Sequence, residues 1–178
     1  AVCADYFMVC PFFRVPADAQ EESIRVLRRL IGCAARVGAA RVEIPCVDAA
    51  AIRTEQDTRD LVRCVEACLP EAERHVIEVV FETSLPPEPF RELLERFRHP
   101  LVRANYDTGN SASLGYDPAC ELTVLGGLVA NIHIKDRLLH GSTVPLGSGH
   151  ADFPAIFSTL SKINYRGPLI LQTARDPD

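Results

Sequence analysis

The sequence predicts an α/β fold of parallel strands joined by crossover helices, a (β/α)8 TIM barrel only partly present in this chain. Three observations predict it. Strand-like and helix-like runs alternate through the 178 residues, and no hairpin turn joins two strands, so the sheet should be parallel. Polar residues share a strand face, namely Glu78 and Glu82, then Arg103, Asn105 and Asp107, then Asn131, His133 and Lys135. An open sheet covered on both faces would be nearly all apolar instead. Finally, these residues approach the C-terminal strand ends, where a barrel holds its active site.

The elements follow in order. Ala1 to Met8 reads as a strand closed by the Pro11 to Pro16 loop. Asp18 and Glu21 resemble a capping box for a helix carrying Ile24, Leu27, Leu30, Ile31, Ala34 and Val37, stopped by Gly38. Arg41 to Val47 is a second strand. Thr54 and Asp57 open a helix through Leu61, Val65 and Leu69 that Pro70 ends. Val76 to Thr83 is rich in β-formers, and Phe90, Leu93, Leu94 and Phe97 then form a helical stripe up to His99-Pro100. Leu101 to Asp107 is a strand, followed by a Gly, Asn and Ser loop. Asp117-Pro118 starts a helix that runs to Gly126-Gly127. Val129 to Asp136 is the next strand. After a brief Val144 to Leu146 strand, Asp152 caps a helix with Phe153, Ile156, Phe157, Leu160 and Ile163, and Leu169 to Ala174 is the last strand.

Seven strands are thus expected, whereas a complete barrel has eight and at least about 200 residues. The expectation is a single domain over residues 1–178, truncated at its N-terminus, lacking the first βα unit and the last helix.

Composition narrows the function. With 24 acidic against 19 basic residues the formal charge is -5, and the cations are scattered, which argues against nucleic acid as a partner. No run reaches the roughly 18 apolar residues of a membrane span, and no signal peptide is evident, so a soluble, cytoplasmic protein is expected. The seven cysteines are odd in number and lie mostly in apolar periodic segments, which suits reduced core thiols. Cys64 and Cys68, one helical turn apart, read as packing residues because no second pair follows to complete a metal site.

Glu82, Asp107 and His133 stand at or near strand ends at intervals of 25 and 26 residues (107 minus 82, 133 minus 107), one βα unit each. Two carboxylates and an imidazole at one barrel mouth make a candidate divalent-metal site, suited to Mg²⁺ or Mn²⁺ through the oxygens and to Zn²⁺, Co²⁺ or Fe²⁺ through the nitrogen. Lys135 and Arg137 are candidate anion or substrate contacts, and Asn110, three after Asp107, a candidate substrate contact. Gly147, Ser148 and Gly149 form either an anion-binding nest or simply a tight loop. His140 and His150 read as exposed loop residues. Glu78 and Arg103 are a candidate ion pair on neighbouring strands.

Cys3 to Met8, Phe81-Glu82-Thr83, Tyr106 to Asn110, Asn131 to Asp136, and Pro145 to Gly149 with Asp152-Phe153 together resemble the sugar-phosphate isomerases and epimerases of the xylose-isomerase-like barrel superfamily, closest to the hexulose-6-phosphate isomerase and L-ribulose-5-phosphate 3-epimerase type. The resemblance covers nearly the whole chain and implies metal binding by Glu82, Asp107 and His133, with Glu82 also moving a proton. The family's fourth ligand and second acid/base is a Glu where this chain has Gln172. An amide oxygen can coordinate a cation but cannot act as a base near neutral pH. The implied activity is proton transfer next to a carbonyl of a sugar or sugar phosphate through a metal-stabilised enediolate, with Mn, Mg, Co or Zn as cofactor and a homodimer as an assembly open to it. The alternative is a non-catalytic or regulatory sugar-binding barrel that has lost one catalytic carboxylate at Gln172. Phosphodiester cleavage, as in the related apurinic-site endonucleases, is disfavoured for want of ligands and of a basic surface.

Overall fold

The structure is a computed structural model that describes residues 1–173. The chain divides into two compact units: one comprises Ala1–Leu85 with Glu92–Arg103, the other Pro86–Arg91 with the chain from Ala104 onward.

The first unit is built on three strands, β1 (Val2–Cys3), β2 (Arg41–Cys46) and β3 (Glu78–Thr83), paired in parallel in that order. The expected strand over Ala1 to Met8 is much shorter. After two residues the chain turns into α1 (Tyr6–Val9). Its apolar side chains serve a compact turn, with Phe7 buried and stacked on Phe12 at 4.5 Å between ring centroids. A short apolar run does not distinguish the two conformations by periodicity. Helix α2 (Ala17–Arg36) buries Leu27, Ile31 and Ala34 and packs on β2. Its N-cap is Pro16, without the expected Asp18–Glu21 capping box, because the Asp18 carboxylate accepts from the Ala19 amide instead. The box expected at α3 (Glu55–Glu66) is present: Thr54 Oγ1 accepts from the Asp57 amide at 3.1 Å, and Asp57 accepts from the Thr54 amide. Pro70 does not end this helix. It sits in the first turn of a separate α4 (Leu69–His75), where its missing N–H is not needed.

The second unit holds β5 (Val129–Ile134) flanked by the Ala104–Asp107 part of β4 (Val102–Asp107) and by β8 (Leu169–Leu171), all parallel. Both β4 and α5 (Pro87–Arg96) have residues in each unit. The stretch after β4, expected to be a loop, is helix α6 (Thr108–Leu114), capped at its start by Asp107 and closed by Gly115 at φ +74°. Helix α7 (Pro118–Leu125) is capped by Asp117 and packs against α8 (Phe153–Lys162), capped by Asp152, as the sequence predicts.

The expected absence of hairpins fails at one place. The strand from Val129 stops at Ile134, and β6 (Asp136–Arg137) folds back on β7 (Thr143–Val144) as an antiparallel pair. The turn fits because residue 141 is Gly: a Cβ there would lie 2.8 Å from that of Leu138. Strand β8 ends at Leu171, and the last residue of the strand expected there, Ala174, lies outside the described residues.

Candidate functional site

In the first unit one face of β2 and β3 carries charged residues along its length. Parallel register places Arg41 beside Glu78, Glu43 beside Val80 and Pro45 beside Glu82, so Glu43 and Glu82 share a face. At the start of the strands Glu78 bridges two guanidinium groups, Arg41 at 2.7 Å and Arg103 at 3.4 Å, so the expected Glu78–Arg103 pair is present and is joined by a second cation. Further along, Glu43 and Glu82 are 1% and 6% exposed, and an oxygen of each lies within 4.8 Å of one on the other. Taking two carboxylates out of water side by side is unfavourable unless a cation or a shared proton compensates them. Cys3, in register with Glu43, donates its S–H to Asp5 at 3.1 Å and faces Glu43 at 3.7 Å. Burial, then the Glu43 charge, pushes its thiol pKa well up, and burial with Glu82 raises Cys46 to about 12. The Glu43 and Glu82 charges thus add to what burial does to both thiols.

In the second unit the register pairs Asn105 with Asn131 and Asp107 with His133. Asn131 donates to Asn105 Oδ1 at 2.8 Å, and the Asn105 amide nitrogen lies 3.3 Å from His133 Nδ1. Asp107 uses its two oxygens differently. Oδ1 accepts from the Gly109 and Asn110 amides at 2.9 and 2.8 Å, capping α6, while Oδ2 lies 3.3 Å from Lys135 Nζ and 3.8 Å from His133 Nδ1. Burial works against ionisation, but His133, the Lys135 charge and the Asn110 amide outweigh it and hold the carboxyl below its ordinary range. The start of α6 is also tied to β5's end, since Thr108 Oγ1 donates to the Lys135 carbonyl and accepts from its amide.

The expected substrate contacts find protein partners. Arg137 donates to Asn110 Oδ1 at 2.8 Å and to the Gly141 carbonyl. The nest expected at Gly147 to Gly149 is filled from within: the Gly147 and Gly149 amides donate to Asp136 Oδ2 at 2.9 and 2.8 Å, and the Ala151 amide donates to Oδ1. Ser148 is exposed. Gln172 follows β8, its amide bonded to the Ile134 carbonyl and its side chain exposed. His140 and His150 lie exposed in their loop, and Cys64 and Cys68 are buried packing residues.

Sequence reasoning passed over Glu43. Its only signal is a charge at the centre of the strand Arg41–Cys46, a position buried in the fold. Glu121 on α7 was missed as well. It is 7% exposed and pushed up to about 7, chiefly by burial.

Parallel β/α units with strand-end carboxylates and an imidazole define a class, and residues 3–178 match the family described as Xylose isomerase-like TIM barrel, to which this chain belongs. Among curated proteins it is 26% identical over 161 residues to an inosose dehydratase of Clostridium tetani, covering 77% of this chain and 54% of that protein. It is 24% identical over 182 residues to the L-ribulose-5-phosphate 3-epimerase UlaE of Escherichia coli O1:K1, covering 92% of this chain and 63% of that protein. The chain thus spans little more than half the length of these relatives. A crystal structure of IolI protein with a binding zinc atom superposes with a TM-score of 0.78 at 17% identity, over 91% of this chain and 64% of that one. Among the described residues no helix is long and apolar enough to cross a membrane.

Proposed function

We propose that this chain carries most of the metal centre of a divalent-metal-dependent isomerase or epimerase acting on a sugar or sugar phosphate. The observation that carries the reading is the buried, same-face pair Glu43 and Glu82, whose proximity a divalent cation would make favourable. Relatives named as a sugar-phosphate epimerase and a dehydratase support it.

Glu43 and Glu82 would hold the cation from the first unit, and the family resemblance implies His133, Asp107 and the Gln172 amide as its further ligands. Two or three carboxylate oxygens and one imidazole suit Mn²⁺, Mg²⁺, Co²⁺ or Zn²⁺. When bound, the ion would polarise substrate oxygens and stabilise the negative charge that develops on them.

The chain's own residues supply the rest. Glu82 accepts the proton from the hydroxyl-bearing carbon next to the carbonyl, the C–H electron pair becomes a C=C bond as the carbonyl π pair moves onto its oxygen, the hydroxyl proton passes to that oxygen so that a new carbonyl forms in its place, and Glu82 returns its proton to the former carbonyl carbon. That is a one-base isomerisation. Inverting a centre requires a second proton donor on the opposite face, and Gln172 cannot act as an acid or a base. Lys135 and Arg137 balance substrate charge, and Asn110 orients hydroxyls. We place the protein in the cytoplasm, with a small sugar and a second copy of the chain as its partners.

The second reading, a sugar-binding barrel without turnover, is favoured by one observation, the amide side chain at Gln172. Incubation with ketose phosphates and Mn²⁺ in D₂O separates the two. Metal-dependent incorporation of deuterium at the carbon next to the carbonyl, lost in Glu82→Gln, supports the enzyme. Sugar binding without exchange, with exchange appearing only in Gln172→Glu, supports the binding protein.

A further inference from the structure

Behind the polar face of β4, on the side of the helices, lies a second buried polar cluster that the proposed reaction does not use. Tyr106 on β4, Ser111 on α6 and Glu121 on α7 are all buried. The Tyr106 hydroxyl donates to Glu121 Oε2 at 3.0 Å and approaches Ser111 Oγ at 3.1 Å, and Ser111 donates to the same Glu121 oxygen. One carboxylate oxygen therefore ties three elements together. Tyr106 is the neighbour of Asp107, and Ser111 the neighbour of Asn110.

We propose that Glu121 is a positioning residue whose proton sets where α6 sits, and with it the cap on Asp107 and the Asn110–Arg137 contact. With the carboxylate ionised, Tyr106 and Ser111 both point their protons at it. With the carboxyl protonated, its O–H can donate to Ser111 Oγ, the direction of that bond reverses, and the cost of keeping a charge buried between α6 and α7 is removed. Charge-assisted hydrogen bonds are about twice as strong as neutral ones, but burial of the charge outweighs them here, so α6 is held less firmly once Glu121 ionises.

The surroundings put the change near neutrality. Burial raises the carboxyl to about 7 against the pull of Ser111 and Tyr106, and Asp117, in the turn before α7, adds to the rise. Tyr116 in the same turn is itself pushed up, by burial and then by Glu121. From α5, Arg91 reaches the Val124 carbonyl of α7, and α8, packed on α7, carries Lys162 in its last turn. Among the described residues the side chains hydrogen-bonded to the Glu121 carboxyl are Tyr106 and Ser111.

The inference deepens the isomerase reading and rests on it only for the choice of Asp107 and Asn110 as site residues. The test follows backbone amide exchange of Gly109 and Asn110, the donors to Asp107, by NMR from pH 6 to 8, with Mn²⁺ affinity measured on the same samples. After correction for intrinsic exchange, protection of the native chain should fall about tenfold from pH 6 to 8. Glu121→Gln and Ser111→Ala should each flatten the profile. Native protection that does not vary, or the same step persisting in Glu121→Gln, overturns the inference, and the native measurement decides alone if both variants fail to fold. A step in α6 without Mn²⁺ binding at any pH would retain Glu121 and sink the metal reading. Mn²⁺ binding with a flat α6 profile would do the reverse.

Discussion

Replacing Glu121 by Gln should alter the pH dependence of stability in a calculable way. The native carboxyl titrates at about 7 against an ordinary value of 4.5. The folded state therefore keeps its proton at a pH where the unfolded chain has lost it. Below pH 4.5 both states are protonated and the shift contributes no penalty. As pH rises through the interval between the two values the unfolded state is favoured progressively, and above pH 7 the deficit levels off. A rise of this size is worth about 3 kcal/mol, most of which should develop between about pH 5 and 8. Gln keeps a carbonyl acceptor for Tyr106 and Ser111 and carries no charge to desolvate. Urea unfolding of native chain and variant should give similar midpoints near pH 5, with the variant more stable by roughly 2 to 3 kcal/mol near pH 8 and the m-value unchanged. A stability gap that is the same at both pH values would refute the reasoning, because it would place the Glu121 carboxyl in an ordinary environment.

Three further predictions concern other parts of the molecule. Glu43→Gln removes one of two adjacent buried charges, so it should raise the metal-free melting temperature while weakening Mn²⁺ binding by about 10- to 100-fold, read by thermal melts with and without the ion. Glu78→Ala leaves Arg41 and Arg103 facing each other partly buried and should cost about 2 to 3 kcal/mol in urea unfolding, more than Arg103→Ala, whose contact is the longer one. Gly149→Ala would bring a Cβ to 2.2 Å from an Asp136 oxygen; it should open the 145–151 loop, seen as faster proteolysis there, while leaving the unfolding of β2 and β3 unchanged.

The parts of this fold that were legible in the sequence are those fixed locally. Thr54 with Asp57, Asp117 with Pro118, and Asp152 each satisfy amides at a helix start through a side chain a few residues away. Strand β2 declares itself by Val42 and Ile44 alternating with Arg41 and Glu43, and β3 by its run of Val79, Val80 and Phe81. Helix α6 is the counterexample. Its composition, Thr-Gly-Asn-Ser-Ala-Ser-Leu, favours a loop, and it is helical because Asp107 caps it while its flank is buried. Gly109 is required there by tertiary contact: a Cβ would lie 2.7 Å from Lys135 Cγ. The site divides in the same way. Spacing along the chain picks out Glu82, Asp107 and His133, one per βα unit. Glu43 escapes that pattern because its relevance depends on its register against β3, a relation between distant segments. The second duty of Asp107 as a helix cap is invisible for the same reason.

The loop between β7 and α8 has a consequence for substrate choice. Backbone amides arranged around a small anion are a common means of gripping phosphate, and here the Gly147, Gly149 and Ala151 amides are already committed to the carboxylate of Asp136. The protein supplies its own anion to that cradle. At this loop a phosphorylated sugar would have to be recognised through cationic side chains rather than through the main chain. Neutral sugars would meet no unsatisfied cradle, so this loop imposes no penalty on ligands that lack a phosphate.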